Sequence, residues 1–172
     1  MPDKPARPGQ AAAGASLALE SDPTQVSLAF FTALRARRFD DALQLLADDG
    51  THWGGSYPYR EHSLAGFKAK LRTVEQGIHD TPMDFVAVDW FAHGDRVVME
   101  VRNDGTLPDG RRYEMVYCFI LTIRGGRIVA MREYADTAYN RDMRPELYSR
   151  QSPVYQNLQD LGLDASTFDH LG

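Results

Sequence analysis

Between residues 83 and 136 the chain alternates apolar and polar side chains through four runs, and every junction between runs is a turn. The runs are 83–91, 96–107, 111–124 and 127–136. The turns are His93-Gly94-Asp95, Pro108-Asp109-Gly110 and Gly125-Gly126. Strands joined by connections this short pair antiparallel, so the second half of the chain predicts a meander.

The preceding residues follow a helical period. Asp22 caps and Pro23 opens a first helix, with Val26, Phe30, Ala33 and Leu34 on its apolar side and its end near Arg38. Asp40 and Asp41 open a shorter second helix with Ala42, Leu45 and Leu46 inward, stopped by Asp48-Asp49-Gly50. Thr51-His52-Trp53 is a short extended piece broken by Gly54-Gly55, and a loop over 56–62 holds Tyr57, Pro58 and Tyr59. Ser63 caps a third helix through Gln76, with Leu64, Phe67, Leu71 and Val74 on one side, and Gly77 ends it. Helices first and a meander after is the α+β pattern.

A chain of 172 residues, 43% apolar and 25% charged, suits one soluble domain with appendages. A core of this size holds without disulfide or metal. Residues 1–22 interleave Pro2, Pro5 and Pro8 with charges and then run into Ala and Gly, which reads as a disordered N-terminal tail. They lack the continuous apolar stretch of a signal peptide. The domain is expected over 23–142, followed by a C-terminal extension over 143–172 with weak helical hints near Tyr155.

Net charge is −5, with basic residues scattered, which argues against nucleic acid as a partner. The densest basic run, Arg35, Arg37 and Arg38, ends a helix, where it suits the dipole. No segment has the apolar length of a membrane span, so no membrane partner is expected. The one cysteine, Cys118, sits in an apolar run and reads as a buried, inert thiol in a reducing, cytoplasmic setting.

Both faces of the third strand run are apolar: Tyr113, Met115, Tyr117, Phe119, Leu121 and Ile123 on one, Val116, Cys118 and Ile120 on the other. A sheet with helices on one side ordinarily leaves its other face wet. A homodimer packed through that outer face is the simplest cover.

Alternation also sorts the polar residues. Glu100, Arg102 and Asp104 share a face with Val98, and Glu133 shares one with Val129, Met131 and Ala135. If both faces line the concave side, two carboxylates and a guanidinium meet in an apolar hollow, where burial and charge split their pKa values into an acid and a base. The alternative is a structural ion pair or a surface ladder across strands. His52 or Trp53 points inward, and His52 is suited to proton transfer near neutrality. Tyr113 and Tyr117 share a face and are expected to donate hydroxyl hydrogen bonds to a ligand oxygen, or else to be plain core. The five histidines, at 52, 62, 79, 93 and 170, have no metal-ligand spacing. Glycine-rich phosphate loops and a Gly-x-Ser-x-Gly elbow are missing from the sequence. A site without metal or cofactor is the expectation.

The pieces Gly110-Arg111-Arg112-Tyr113, Tyr117-Cys118-Phe119, Gly126-Arg127-Ile128-Val129 and Arg132-Glu133-Tyr134-Ala135-Asp136-Thr137 carry a resemblance. The chain resembles the SnoaL-like, ketosteroid-isomerase-related branch of the nuclear-transport-factor-2-like superfamily over about 24–142. The resemblance implies a cone of three N-terminal helices packed on a strongly curved, mainly antiparallel sheet. It implies an internal pocket for a small, largely apolar metabolite such as a polyketide, terpenoid or similar cyclic compound.

The family hosts several reactions, so fold alone does not choose among them. Ketosteroid isomerases carry a tyrosine on the first helix, a base aspartate after the first strand and a protonated aspartate on a later strand. The matching positions here are near Phe30, Gly54 and Phe119, and all three polar groups are missing. Limonene-type epoxide hydrolases carry Arg-x-Asp on one strand, where this chain has Glu100 and Arg102, the charges swapped. Their last-strand Asp matches Glu133, and their Tyr-x-Asn positions hold His52 and Gly54. Polyketide cyclases of the SnoaL type use an acidic residue on the last strand, and Glu133 falls there.

Two readings stand. One is a cofactor-independent enzyme working by isomerisation, cyclisation, dehydration or epoxide opening. Glu133 would be its acid/base, Glu100 the partner, Arg102 the charge tuner and His52 an orienting group. Tyr117, Tyr113, Trp53, Phe30 and Phe119 would line the substrate. The other is a non-catalytic module of the same fold that binds a small molecule or dimerises.

Overall fold

The computed structural model describes residues 22–54, 62–77 and 82–145. The expected tail, the aromatic loop after Gly54 and most of the expected C-terminal extension lie outside those residues.

Helix α1 (Pro23–Arg35) starts where its sequence dictates: the Asp22 side chain accepts from Thr24 N at 2.9 Å, and Pro23 fills the first position. It buries Val26, Phe30, Phe31, Ala33 and Leu34. Its end is a turn in which Arg38 N bonds to Ala33 O and Arg37 N to Leu34 O, with Arg37 at φ 53°. Helix α2 (Phe39–Gln44) is short and buries Phe39, Ala42 and Leu43.

The chain leaves the helical regime earlier than its period predicts. Leu46 begins a strand, β1 (Leu46–Gly54), which runs through the expected stop at Asp48-Asp49-Gly50. The reason is tertiary: β1 pairs parallel with the last strand of the sheet. Strand β2 (His62–Ser63) leads into helix α3 (Leu64–Glu75), which buries Leu64, Leu71 and Val74.

The meander follows as β3 (Phe85–His93), β4 (Arg96–Thr106), β5 (Arg112–Arg124) and β6 (Arg127–Ala135). Strand order is β2-β1-β6-β5-β4-β3, antiparallel throughout except for β1 against β6. Asp136 then caps a seven-residue helix, α4 (Thr137–Met143), which has no buried residue.

The helices cover one face. There Val97, Met99, Val101, Met115, Leu121 and Ile123 are buried, and Phe31 of α1 packs its ring 4.8 Å from Phe119 and 5.9 Å from Phe85. These positions are the apolar members of each alternation, so period two alone decides which side chains meet the helices.

The other face is apolar too, as alternation requires. Phe91 is 67% and Val116 54% exposed, and Tyr134 is exposed as well. Trp90, Phe91, Val98, Glu100, Val116 and Tyr134 border a groove of about 480 Å³. Cys118 stands on this outer face and is exposed, which corrects the expectation of a buried thiol. Its even-numbered position on β5 turns it away from Tyr117 and Phe119.

Candidate functional site

On the inner face the described residues bring His52 and Glu133 together. Pairing of β1 with β6 sets His52 beside Met131 and Gly54 beside Glu133. The His52 imidazole reaches along the face until its Nε2 lies 3.5 Å from Glu133 Oε2. That is an ion-pair distance, longer than a well-formed hydrogen bond, and among the described residues Nε2 has no hydrogen-bond partner. The ring rests on Phe67 of α3, centroids 4.7 Å apart. The side chains are 16% and 24% exposed, so the pair lies inside the cone and still touches open space.

Burial pushes the Glu133 carboxyl pKa up. The polar contact with His52, the charge of Lys70 on α3 and the charge of His52 together outweigh it, so the pKa falls below its ordinary 4.5. Glu133 is therefore an ionised base at neutral pH.

Next to it on β5 is Tyr117, whose neighbour in register is Ala135, one inward position beyond the Phe119–Glu133 pair. Its hydroxyl meets that of Tyr113 at 3.1 Å, and Tyr113 donates to Asn140 Oδ1 of α4 at 3.2 Å. Burial, then the charges of Tyr113 and Glu133, then the hydrogen bond with Tyr113 hold the Tyr117 pKa well above 10, eased only slightly by Asn103. Tyr117 stays a neutral phenol. Asn103 of β4 is fully buried, and its Nδ2 donates to Pro82 O at 2.8 Å.

Of the residues singled out from sequence, the structure brings together His52, Glu133, Tyr117, Tyr113 and Phe119. It does not bring in Glu100 or Arg102. Register sets Glu100 against Cys118 and Cys118 against Tyr134, so Glu100 faces outward with Tyr134, opposite to Glu133. Arg102 lies on the same outer face, pairs with Asp104 at 3.0 Å and is more than half exposed. The expected carboxylate–Arg–carboxylate group does not form, because pairing through β5 sets Glu100 and Arg102 on the face opposite to Glu133.

Trp53 also turns outward, its ring 4.8 Å from that of Tyr134 and 4.9 Å from the Arg132 guanidinium. Phe30 is completely buried, its ring edge-on to Phe31 at 5.2 Å, and has no surface to offer a ligand. Sequence reasoning missed Asn103, Lys70 and Asn140. Only Asn103 left a trace, as the one polar residue in the inward series Val97, Met99, Val101, Asn103.

Among the described residues no group of three or more His, Cys, Asp or Glu is placed to hold a metal ion, and no helix is long and apolar enough to cross a membrane.

A family model described as a SnoaL-like domain matches residues 28–131. No match was found among curated proteins. Solved structures share the fold. An NTF2-like protein of unknown function from Burkholderia pseudomallei is 19% identical, with 73% of this chain and 96% of that one covered and a TM-score of 0.57. IdmH, a putative polyketide cyclase from Streptomyces antibioticus, is 21% identical, covering 69% and 94%, with a TM-score of 0.55. AclR, a putative hydroxylase from Streptomyces galilaeus, is 15% identical, covering 72% and 85%, with a TM-score of 0.58.

Proposed function

The chain belongs to the SnoaL-like domain family, and on that footing we propose that it performs cofactor-independent acid–base chemistry on a small, largely apolar cyclic metabolite, with Glu133 as the base. The observation that carries this reading is the His52–Glu133 pair, 3.5 Å apart on the inner face and still accessible. A carboxylate held ionised at neutral pH and within reach of a substrate can accept a proton brought to it. His52 orients it, and Tyr117 remains neutral beside it.

The step is a proton shuttle. Glu133 takes a proton from an activated C–H or O–H of the substrate, the electron pair stays on the substrate as an enolate or alkoxide, and the proton returns at another atom. Isomerisation needs only this. In a cyclisation the enolate carbon attacks a carbonyl carbon of the same molecule, the C=O π bond opens to an alkoxide, and that oxygen takes the proton back from Glu133. Dehydration and epoxide opening also need an acid to protonate the departing oxygen, and Glu100, expected in that role, faces outward. The likeness in fold to a putative polyketide cyclase agrees with cyclisation.

The outer face supports a second element of the proposal, a homodimer. Phe91, Val116 and Tyr134 stand exposed on it and border the groove with Val98. The exposed Cys118 at its centre suits the reducing cytoplasm.

The test is Glu133→Gln. Small molecules retained through purification are identified by mass spectrometry, and their relatives are assayed with folded wild type and variant. Loss of at least a hundredfold in turnover is expected. Undiminished turnover removes Glu133 from the chemistry.

A further inference from the structure

The outer groove of about 480 Å³ is lined by three carboxylates, Asp89, Glu100 and Asp136, and among the described residues by no lysine, arginine or histidine. Asp89 of β3 stands directly opposite Glu100 of β4 in register. Side chains so placed lie about 5 Å apart at Cβ, and like charges there repel. The cations of the same face are engaged elsewhere. Arg102 pairs with Asp104 at 3.0 Å, and the Arg132 guanidinium lies 4.9 Å from the Trp53 ring.

Each carboxylate keeps capacity for a ligand. Asp89 Oδ1 accepts from Trp90 N at 2.8 Å and Asp136 Oδ1 from Tyr139 N at 2.9 Å, and each has a second oxygen to offer. Glu100 is exposed, and the register continues from it through Cys118 to Tyr134 across the groove. The rest of the wall is aromatic and aliphatic, with Trp90, Phe91, Tyr134, Val98 and Val116. Aromatic faces attract cations through the ring quadrupole, so rings and carboxylates favour the same kind of guest.

We propose that the outer groove is a binding site for a small organic cation, an ammonium compound with an apolar body. The ammonium sits by the Asp89–Glu100 pair and relieves its repulsion, and the body lies along Phe91, Val98 and Val116. The groove has the volume of an ordinary small-molecule site. A neutral guest of the same shape leaves the two carboxylates opposed, and an anionic one adds to the repulsion. Glu100 and Glu133 lie on opposite faces, so this site goes beyond the acid–base reading and does not rest on it. A second copy laid over the outer face would bring the same three carboxylates, so a bound cation also eases the homodimer proposed above.

The test titrates two probes calorimetrically into the full chain at neutral pH and low salt: naphthalen-2-ylmethanamine, an ammonium under those conditions, and naphthalen-2-ylmethanol. They share ring and size and differ in charge. The wild type is expected to bind the ammonium roughly tenfold more tightly, the scale of one charge-assisted hydrogen bond at a partly exposed site. Glu100→Gln should cut that preference to about threefold or less. Asp89→Asn should do the same, and it stands in should the first variant fail to fold by circular dichroism. Asp49→Asn removes an exposed carboxylate of β1 outside the groove and should leave the preference at its wild-type value, as should Glu133→Gln on the inner face. Equal affinities in the wild type, no binding of the ammonium, or an equal loss in Asp49→Asn overturn the proposal. A preference that follows Glu133 and ignores Glu100 sets the cation on the inner face, which overturns the groove site and leaves the acid–base reading in place.

Discussion

Gly50 is a tight point of the sheet, and Gly50→Ala tests whether β1 lies where the site needs it. A Cβ built at Gly50 would meet the Leu64 side chain of α3 and stand 2.7 Å from the carbonyl oxygen of Val129. Relaxed non-bonded contacts between heavy atoms lie nearer about 3.5 Å. Leu64 is completely buried and has little room to swing away, and the Val129 oxygen belongs to backbone. The strand must therefore lift by a few tenths of an ångström to an ångström, losing contact with both neighbours. Overpacking of this kind costs about 1–3 kcal/mol. For a chain of this size the melting temperature should fall by roughly 2–4 °C for each of those kcal/mol. Urea denaturation monitored by circular dichroism reads the cost. A cycle with Leu64→Ala, itself worth about 2–5 kcal/mol, isolates the clash. Because that change removes one of the two obstructing groups, Gly50→Ala should cost about 1 kcal/mol less in its presence. A Gly50→Ala protein as stable as wild type, or strictly additive losses, would refute the close approach of β1 to α3 and β6. His52 lies two residues further along β1, so its 3.5 Å contact with Glu133 would then need another support.

Glu133 should also leave a signature in acid. Its pKa is lowered on folding, so its stabilising contribution is present above the ordinary 4.5 and disappears as pH falls through the lower folded value. The stability gap between wild type and Glu133→Gln, from urea titrations between pH 3 and pH 7 (values chosen to span roughly the carboxylate range), should narrow below pH 4.5; a gap that widens there contradicts the assignment. On the outer face, Phe91→Glu or Val116→Glu sets a charge into the exposed apolar surface. Sedimentation should show a wild-type dimer and a variant monomer, with Cys118 reacting faster toward a thiol reagent in the variant; a wild type that stays monomeric at every concentration removes the dimer.

Local period predicts a good deal of this molecule. Alternation within β5 correctly separates Tyr113, Tyr117 and Phe119 from Val116 and Cys118, because a strand's two faces follow from its own sequence. The Asp22-Pro23 cap and the Gly94, Gly110 and Gly125 turns were equally legible, since each requires a residue type that few others replace. Phase between strands is different. Nothing within 96–107 or 127–136 taken singly says which face of one meets which face of the other, and that choice put Glu100 on the wrong side. The clue to it is the uniformly apolar series Val97, Met99, Val101, which matches the inner series of β5 better than Val98, Glu100, Arg102 does. The start of β1 at Leu46 was hidden for a related reason. Its partner, β6, lies some eighty residues away, and a parallel pairing at that separation leaves no local mark.

The pair at the end of β6 is expensive as architecture. An ion pair inside a protein rarely repays its desolvation, and well-packed apolar residues of similar volume commonly serve stability as well or better. Around Glu133 the alternatives are at hand: Phe119 beside it in register, Phe67 beneath His52, Met131 two residues earlier. Yet the chain sets a carboxylate there and holds it ionised with His52 and Lys70. His52 Nε2 sits at 3.5 Å, closer to a steering distance than to a tight structural bond, and a quarter of the Glu133 side chain stays open. A pair selected for stability would be shorter and sealed. A loosely held, accessible carboxylate backed by neutral Tyr117 is the arrangement a proton-accepting site requires.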